Sequence, residues 1–444
     1  MSSRSRWLIS ASILVLIAAF FVPRASIPTA HAAAPSLYTM TSFSNSSESN
    51  MYVYLSNDGL NFARVGTGPA YTPPTGIIRD PSVTLNSDGR YYVTYTDGWS
   101  GNSIGLASSP DRIHWTFVEN ITFATTVNIA WAPEWFKDTD GSVNIIVHLR
   151  YKGAANPTPY VITALNSSLT TWSTPVALAG LTPDYIDSFI VKLGNVYHIF
   201  AKNDQTTSKY IETATATKLT GPYTFIGTGD WAGWGPQLEG PCIYQLDNGT
   251  WRILLDGYKS GQYYYSDSTD NLKTWTPKKP LPDGLSGFVR HLTVMKEAGK
   301  GVNFSASSHY TLVNRNSGKV LDVSGGSTAN GANVIQYTSH GATNQQWSIA
   351  PSGEYYKLVN VRSGKDLEVS NSSTTDGGAI DQWTDSGGAN QQWNIVPVGN
   401  YYELVNRNSG DLLTVNGSSI ANGASIIQGP DQYGTNQQWS IVLA

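Results

Sequence analysis

Three acidic residues stand in short apolar segments, where a carboxylate needs a partner or a task. Arg-Asp-Pro surrounds Asp80, Ile-Asp-Ser-Phe surrounds Asp187, and Glu-Gly-Pro begins at Glu239. Burying a carboxylate costs several kcal/mol unless it is paired or protonated. If the fold brings the three together, they indicate acid–base chemistry or a metal site. Separate salt bridges at the edges of sheets are the alternative.

The segments around these acids predict short β-strands rather than helices. Apolar runs at residues 91–95, 143–149, 196–201 and 251–255 are typical of strands and are separated by Asp-Gly or Gly-Asn turns. No segment after residue 33 has a sustained helical period. Five polar turns each lead to an aromatic residue, at spacings of 53, 57, 53 and 50: Phe62, Trp115, Trp172, Phe225 and Trp275.

Units of about 50 residues with four strands each predict a five-bladed β-propeller over residues 33–300. The first strand of each blade lines the central channel of a propeller. We therefore expect Asp80, Asp187 and Glu239 at corresponding places in blades one, three and four, where they would converge on the channel.

The rest of the chain, residues 305–444, is an open three-fold repeat. Segments that begin at Tyr310, Tyr356 and Tyr402 each lead to Asn-Gln-Gln-Trp, and the final Trp recurs at a spacing of 46 residues both times: Trp347, Trp393 and Trp439. Short alternating strands with Asn-Ser-Gly or Arg-Ser-Gly turns predict a three-fold all-β unit, in which one Trp per repeat belongs to the core.

This triple Gln-x-Trp pattern resembles the ricin B-type β-trefoil lectins, also called carbohydrate-binding module family 13. The resemblance implies a sugar site in each of two repeats, made of Asp322, Tyr337, Asn344 and Gln345 and of Glu368, Trp383, Asn390 and Gln391. A carboxylate can accept hydrogen bonds from two sugar hydroxyls while a ring covers the apolar face of the sugar. The third repeat has Thr414 and Gly429 in place of acid and ring, so we expect two working sites.

The three acidic motifs, in this order over about residues 36–298, are similar to glycoside hydrolase family 43. These are inverting five-bladed enzymes that act on arabinose- and xylose-containing plant polysaccharides. The resemblance implies that Asp80 is the general base, Glu239 the general acid, and Asp187 the third carboxylate that orients the acid and tunes its pKa. An inverting hydrolase needs one ionised and one protonated carboxyl about 6.5–9.5 Å apart. Neighbouring negative charges push such pKa values apart.

Further residues follow from position or from the same resemblance. We expect substrate contacts from Arg79, Trp99, Trp131, Glu134, Trp234, Tyr258 and Arg290. Members of the family usually have Asp where Glu134 stands, so a structural or subsite role is expected for it. The family uses the histidine at position 291 to hold a central ion through water, which makes His291 a metal candidate. No cofactor is required, although a structural calcium or other ion in the channel is consistent with the resemblance, and a hydrogen-bonded channel histidine is the alternative.

The charge and the N-terminal segment limit the partners and the location that we expect for the protein. With 28 Lys+Arg, 32 Asp+Glu and no basic run, nucleic acid is not an expected partner. Arg4 and Arg6 precede an apolar stretch at residues 7–22, and Ala-His-Ala at 30–32 is a small-x-small cleavage site. The stretch is shorter than the roughly 20 residues that span a bilayer. Residues 1–32 are thus predicted to be a signal peptide, and the mature protein an extracellular monomer without a membrane partner.

These features predict a secreted, exo-acting glycosidase that a lectin module targets to polysaccharide. Within family 43 the first choice is α-L-arabinofuranosidase, and β-xylosidase, endo-arabinanase and exo-β-1,3-galactanase are alternatives. The partner is then an arabinose-, xylose- or galactose-containing polysaccharide or oligosaccharide. Retaining fructosidases need an Asn-Asp-Pro motif, which residues 33–79 lack. A non-catalytic carbohydrate-binding protein is the last alternative, and the presence of all three acids speaks against it.

Overall fold

The computed structural model describes residues 35–444 except 67, 283, 302, 303, 305, 306, 354, 399 and 400. The predicted signal peptide lies outside the described residues. The regular structure of the described chain is β-strand, together with six single turns of 3-10 helix. Within the same residues, no helix is long and apolar enough to cross a membrane.

Twenty strands build the first domain. In chain order they are β1 (Leu37–Ser44), β2 (Ser47–Ser56), β3 (Ala63–Arg64), β4 (Arg79–Leu85), β5 (Tyr91–Thr96), β6 (Ser103–Ser109), β7 (Thr116–Thr122), β8 (Val127–Lys137), β9 (Val143–Tyr151), β10 (Thr158–Thr163), β11 (Val176–Ala177), β12 (Tyr185–Leu193), β13 (Val196–Asn203), β14 (Ile211–Ala216), β15 (Thr224–Gly227), β16 (Glu239–Gln245), β17 (Trp251–Gly257), β18 (Gln262–Ser268), β19 (Lys279–Pro280) and β20 (Val289–Glu297). They form five antiparallel sheets of four strands, the blades of a propeller.

Blades one to four are consecutive in sequence: β4 to β7, β8 to β11, β12 to β15 and β16 to β19. The fifth blade joins the two ends of the domain, because β20 pairs with β1 and is followed by β2 and β3. The predicted five-bladed propeller is confirmed, and the four predicted apolar runs are β5, β9, β13 and β17, the second strand of each consecutive blade. Closing the ring with strands from both ends leaves no open edge between the first and last blades.

Residues 310–443 form the second domain, with the strands β21 (Tyr310–Asn314), β22 (Val320–Val323), β23 (Ala332–Tyr337), β24 (Trp347–Ser352), β25 (Tyr355–Asn360), β26 (Asp366–Val369), β27 (Ile380–Trp383), β28 (Trp393–Val398), β29 (Tyr401–Asn406), β30 (Leu412–Val415), β31 (Ala424–Gly429) and β32 (Trp439–Leu443). The 3-10 turns are Ser324–Gly326, Thr343–Gln345, Ser370–Ser372, Ala389–Gln391, Asn416–Ser418 and Thr435–Gln437. Together the strands make one twelve-stranded sheet, the barrel of a β-trefoil.

The three repeat tryptophans form the centre of this barrel. Trp347, Trp393 and Trp439 are each 0% exposed. Each indole N–H donates to the backbone carbonyl of a leucine 26 residues earlier, at 3.3, 3.1 and 3.0 Å. The predicted core role of these residues is confirmed.

The two domains share an interface with an apolar part and a charged part. Val396, Val405 and Leu412 of the trefoil belong to the same apolar cluster as Leu37 and Val53 of the propeller. Beside this cluster, the guanidinium of propeller residue Arg112 binds Glu297 at 2.6 Å and donates to the Pro397 carbonyl at 3.1 Å. The trefoil is therefore packed against the propeller rather than joined to it by a linker alone.

A histidine bridges the domains at this interface. Nδ1 of His114 contacts Asp111 of the propeller at 2.7 Å, and its Nε2 contacts Asp431 of the trefoil, also at 2.7 Å. Burial lowers the pKa of His114, but hydrogen bonds to both carboxylates outweigh burial and raise it to about 9. Glu403 lies in the same charged environment, and burial, together with Asp431, raises the pKa of its carboxyl to about 7.

The His114 bridge predicts that stability falls in alkaline solution. The native pKa lies above the unfolded value of 6.5, so the bridge stabilises the protein fully below pH 6.5 and is lost as the pH rises through about 9. We expect the melting temperature to fall over this interval, and His114→Gln to flatten the fall. Glu403→Gln is the matched control, because the carboxyl of Glu403 changes its contribution to stability between pH 4.5 and about 7. Parallel curves for the wild type and His114→Gln above pH 6.5 would contradict the bridge.

Candidate active site

The inner strand of every blade is bulged at the same place. Pairing with the second strand shifts register after Arg79, Trp131, Ile186, Glu239 and Arg290. The next residue has a positive φ in all five blades: Asp80 (51°), Ala132 (45°), Asp187 (56°), Gly240 (52°) and His291 (35°). A left-handed conformation costs a residue with a side chain about 1–2 kcal/mol. The bulges re-aim side chains at one end of the channel.

The bulges place the three predicted acids in two different registers. Asp80 and Asp187 occupy the positive-φ position, whereas Glu239 lies one position earlier, level with Arg79 and Arg290. The expectation of strictly corresponding places was therefore wrong for Glu239. The reason is Gly240, which takes the left-handed position in blade four.

All three acids nevertheless line one pocket of about 490 Å³. Its other lining residues are Arg79, Thr96, Trp99, Trp131, Ile186, Lys202, Asp204, Lys209, Tyr258, Lys259, Arg290 and His291. Carboxyl groups from three blades thus meet at one end of the channel. Separate salt bridges at sheet edges do not describe them.

Asp80 is held as a carboxylate. Its Oδ1 lies 3.0 Å from Nδ1 of His291, and its Oδ2 accepts the Thr96 hydroxyl at 2.7 Å. Burial disfavours the charge, but the neighbouring His291 and Arg79 outweigh burial and hold the pKa of Asp80 well below its usual range. The group is ionised at neutral pH, as a general base must be.

Glu239 is bound by two cations. Nζ of Lys202 donates to its Oε2 at 2.9 Å, and Nη2 of Arg290 donates to its Oε1 at 2.9 Å. Burial opposes ionisation, but Lys202 first and His291 and Arg290 after it lower the pKa of Glu239. Burial raises the pKa of Asp187, and the charges of Glu239 and Asp80 add to that effect. With the pKa of Asp187 raised to about 6 and that of Glu239 lowered, a proton entering the free pocket binds Asp187 before Glu239, the reverse of the expected order.

Asp256 is a further acid, directly behind the pocket lining. It is 0% exposed, and its Oδ2 accepts Nε of Arg290 at 2.7 Å and the backbone N–H of His291 at 2.9 Å. Arg290 therefore bridges Asp256 and Glu239, and Asp256 fixes both residues at the bulge of blade five. Its own pKa is raised by burial and by Glu239.

Sequence reasoning found the second strands but missed the polar residues near their ends, which support this chemistry. Thr96, His148, Lys202 and Asp256 each pair with the residue that precedes a bulge. Their spacings of 52, 54 and 54 residues repeat the period of the blades. A polar residue at the end of an otherwise apolar second strand was the signal that could have found them.

Aromatic and basic side chains form the rim of the pocket. Trp99 is 55% exposed, the guanidinium of Arg79 lies 4.2 Å from the centre of its ring, and the Trp131 ring meets it edge-on at 6.3 Å. Glu48 holds this arrangement by accepting from Arg79 and, at 3.2 Å, from the Trp99 indole N–H. Tyr258 stands on another blade and donates its hydroxyl to Gln237 at 2.7 Å.

Two predicted substrate contacts lie away from the pocket. Trp234 is 3% exposed and packs edge-on against Trp231 and Trp275, so it is a core residue. Glu134 lies beyond the bulge, farther along the inner strand of blade two, as its pairing with Ile146 shows.

Glu134 connects inner strands instead of binding substrate. It accepts the Ser82 hydroxyl of blade one at 2.8 Å and the Thr293 hydroxyl of blade five at 3.0 Å. Burial raises the pKa of its carboxyl to about 7. Of the two roles expected for Glu134, structural or subsite, these contacts indicate the structural role.

The surroundings of His291 do not fit a directly bound cation. Burial lowers its pKa, but Asp80 and Asp187 outweigh burial and raise it to about 10, so the ring is protonated. A protonated imidazole is not a metal ligand. No three His, Cys, Asp or Glu side chains in the described part of the chain are grouped to hold a metal ion. We derive no step through an ion, and the ion in the channel stays a prediction.

The two expected sugar sites of the trefoil are assembled. Asp322 accepts the side-chain amides of Asn344 at 3.0 Å and Gln345 at 2.7 Å, and Tyr337 is 40% exposed beside it. In the second repeat Glu368 accepts Gln391 at 2.8 Å, Asn390 donates to the Val369 carbonyl at 3.0 Å, and Trp383 is 43% exposed. The third repeat has only the Thr414 hydroxyl opposite Gln437, at 3.0 Å.

A propeller with a cluster of acids in its pocket, followed by a trefoil with two candidate sugar sites, defines a glycoside hydrolase with a lectin module. Two family models match these parts. The model described as "Probable glycosyl hydrolase domain", related to family 43, matches residues 35–298. The model described as "Ricin-type beta-trefoil lectin domain-like" matches residues 302–383, 343–429 and 389–444. The chain belongs to this family of glycosyl hydrolases related to family 43, and it carries a ricin-type lectin module.

Several solved structures are similar to this chain. An exo-β-1,3-galactanase from Clostridium thermocellum is 22% identical over 93% of this chain and 95% of its own, with a TM-score of 0.43. A family 43 β-1,3-galactosidase is 13% identical over 93% of this chain and 89% of its own, with a TM-score of 0.45. The designed three-fold symmetric protein ThreeFoil is 51% identical over 30% of this chain and 97% of its own, with a TM-score of 0.30. Comparison with curated proteins gave no match.

The bulge of blade four predicts a position where only glycine is tolerated. A Cβ at Gly240 would lie 2.9 Å from the ring of His291, so Gly240→Ala should displace the ring from Asp80. We expect the turnover rate to fall about a hundredfold, the effect of misplacing a catalytic group. Hydrolysis of an aryl glycoside that the wild type cleaves measures it.

Gly249→Ala is the matched control for this variant. Gly249 also has a positive φ, of 85°, in the turn that follows β16, but a Cβ there would meet nothing within 4 Å. It should cost about 1 kcal/mol of stability and leave turnover intact. Equal turnover in the two variants would show that the contact with Gly240 does not position His291.

Proposed function

We propose that this protein is a secreted, inverting glycosidase that removes terminal sugars from plant polysaccharides, with α-L-arabinofuranosides as its substrates. The observation that carries the proposal is the meeting of Asp80, Asp187 and Glu239, from three blades, in one aromatic-rimmed pocket. The order of the three acidic motifs supports the substrate class. β-Xylosides, arabinan and β-1,3-galactan are the substrates from which the experiment must separate it.

The proposed reaction is a single displacement. Asp80 takes a proton from a water molecule whose oxygen attacks the anomeric carbon, and Glu239 gives a proton to the departing glycosidic oxygen. The bond to the leaving group breaks as the bond to the water oxygen forms, so the configuration inverts. Asp80 ends protonated and Glu239 ionised. Asp80 then loses its proton to solvent, and Glu239 takes up a proton again when the next substrate binds.

Lys202 and Arg290 explain how Glu239 is aimed and why its proton depends on substrate. Each binds one oxygen of the carboxylate at 2.9 Å and so fixes the orientation of the group. The same contacts lower the pKa of Glu239 in the free pocket, so that Asp187 is protonated before it. A sugar that displaces water raises the pKa of Glu239, and the proton then passes to it from Asp187.

The shape of the pocket supports action at a chain end. Its volume of about 490 Å³ lies in the lower half of the range of about 300–1,000 Å³ in which small ligands bind. Trp99, Trp131 and Tyr258 offer ring surfaces to the C–H faces of a sugar. The pocket suits a terminal sugar better than the middle of a polymer.

The lectin module supports action on a polymer rather than on free oligosaccharides. Tyr337 and Trp383 mark two sugar sites on a domain that packs directly against the propeller. Binding of the module to the same polysaccharide raises the local concentration of chain ends without new contacts in the pocket.

A panel of aryl glycosides tests the proposed function. The substrates are an α-L-arabinofuranoside, a β-D-xyloside, a β-D-galactoside and a β-D-fructofuranoside, and NMR follows the anomer that is released first. We expect arabinose with inverted configuration. Release of another sugar, or release of galactose from β-1,3-galactan alone, would replace the substrate but keep the class. Retained configuration would contradict the mechanism, and no cleavage of any aryl glycoside or polymer would contradict the enzyme.

Replacing the proposed acid tests the mechanism separately. Glu239→Gln removes the proton donor, so cleavage of glycosides with poor leaving groups should fall about a hundredfold or more, while activated aryl glycosides lose less. Glu134→Gln is the matched control, because Glu134 lies outside the pocket and an amide oxygen can still accept from Ser82. Equal activity of Glu239→Gln and the wild type on poor leaving groups would remove Glu239 from the acid role.

A further inference from the structure

The three trefoil repeats are closely similar in sequence. A position at which one repeat differs from the other two therefore marks a property that only one site has. The Asn-Ser-Gly turn of the first and third repeats has Asn316 and Asn408 where the second repeat has Arg362. Each asparagine donates to a serine carbonyl of a neighbouring repeat, Asn316 to Ser418 at 2.9 Å and Asn408 to Ser372 at 3.1 Å.

The residue that faces the arginine departs as well. Gly326 of the first repeat stands where the other repeats have Ser372 and Ser418. A Cβ at Gly326 would lie 3.3 Å from Cζ and Nε of Arg362, so the missing side chain leaves room for the guanidinium. The two differences occur together. Where the other repeats have an asparagine that binds a neighbouring turn, this pair of residues places a cation.

This cation borders the first sugar site. Arg362 lines an open cleft of about 660 Å³ together with Asp322, Tyr337, His340 and Asn344. Its side chain is exposed, and the guanidinium makes no ion pair or hydrogen bond with the residues that the structure describes. The five N–H donors of this cleft-lining guanidinium are therefore without an acceptor among those residues.

A second basic residue distinguishes the same site. His340 stands where the second and third repeats have Ser386 and Gln432, since all three donate their backbone N–H to the equivalent glutamine. Its Nε2 lies 3.5 Å from Oδ2 of Asp322, and its ring is 6.2 Å from that of Tyr337. The first site thus has one acid and two basic side chains.

The second site has two acids. Asp381 pairs across the strands with Glu368, and both are buried, whereas the equivalent of Asp381 in the first repeat is Ile335. Two carboxylates facing one site disfavour a negatively charged ligand. Each site can therefore select a different class of sugar.

We propose that the first trefoil site binds an acidic saccharide, with Arg362 receiving the carboxylate of a uronic acid residue while Asp322 and Tyr337 hold the hydroxyls and face of the sugar. The planar guanidinium presents paired N–H donors that match the two oxygens of a carboxylate. The second site takes neutral sugars. This inference rests on the trefoil alone and holds whichever sugar the propeller cleaves.

Binding of small glycosides to the full chain tests the inference. The probes are methyl β-D-glucuronide and methyl β-D-galacturonide, their neutral counterparts, and methyl β-D-glucoside 6-sulfate, titrated calorimetrically. We expect the wild type to bind a uronide about tenfold more tightly than its neutral counterpart, with a preference that weakens as salt is added. Equal affinities for uronide and neutral sugar, or tighter binding of the sulfate, would overturn the proposal.

Two variants assign the preference to Arg362. Arg362→Asn with Gly326→Ser restores the pair found in the other two repeats, so the fold should be kept, the preference lost and neutral binding retained. Lys365→Asn removes a positive charge from the same repeat at a side chain that donates to Thr384 at 3.0 Å, and it should leave the preference unchanged. A preference that survives the double variant, or that Lys365→Asn also removes, would assign it to general charge and overturn the role of Arg362.

Discussion

A carboxylate removed from water must be paired, and the mouth of this propeller is organised around that requirement. Asp80 is matched with His291, and Glu239 with Lys202 and Arg290. Asp256, fully buried, completes the set by holding Arg290 and the backbone of His291. Removing His291 would leave the buried charge of Asp80 without its closest cation, which costs more than the pair itself contributes.

The backbone of the inner strands makes this pairing possible. A regular strand would send alternate side chains to opposite faces, and a bulge breaks that alternation at one level of the channel. Four of the five bulges place a residue with a side chain at positive φ, and the fifth uses Gly240, over which the His291 ring packs. The pairing of β20 with β1 completes blade five, whose inner strand carries His291 and contacts β4 of blade one.

The trefoil, like the propeller, is built from repeated units that differ from one another at a few positions. Three copies of one strand pattern bury three tryptophans, which no single copy could do alone. Stability therefore depends on what the repeats share, and recognition depends on where they differ. Arg362 with Gly326, Asp381 and Gly429 are such differences, and each changes a site while the barrel stays the same.

Repeats and ordered motifs in the sequence predicted the architecture, the position of Asp80, Asp187 and Glu239 on inner strands, and the residues of the two candidate sugar sites. Periodicity carries that information because strands of one blade and one repeat are local in sequence. Which side chains face each other across blades depends on the tertiary structure. The structure adds Lys202 and Asp256 to the predicted site and places Trp234 and Glu134 outside it. Single residues far apart in sequence meet there through bulges and registers, and the resulting charges, not residue types, raise the pKa of Asp187 and lower that of Glu239.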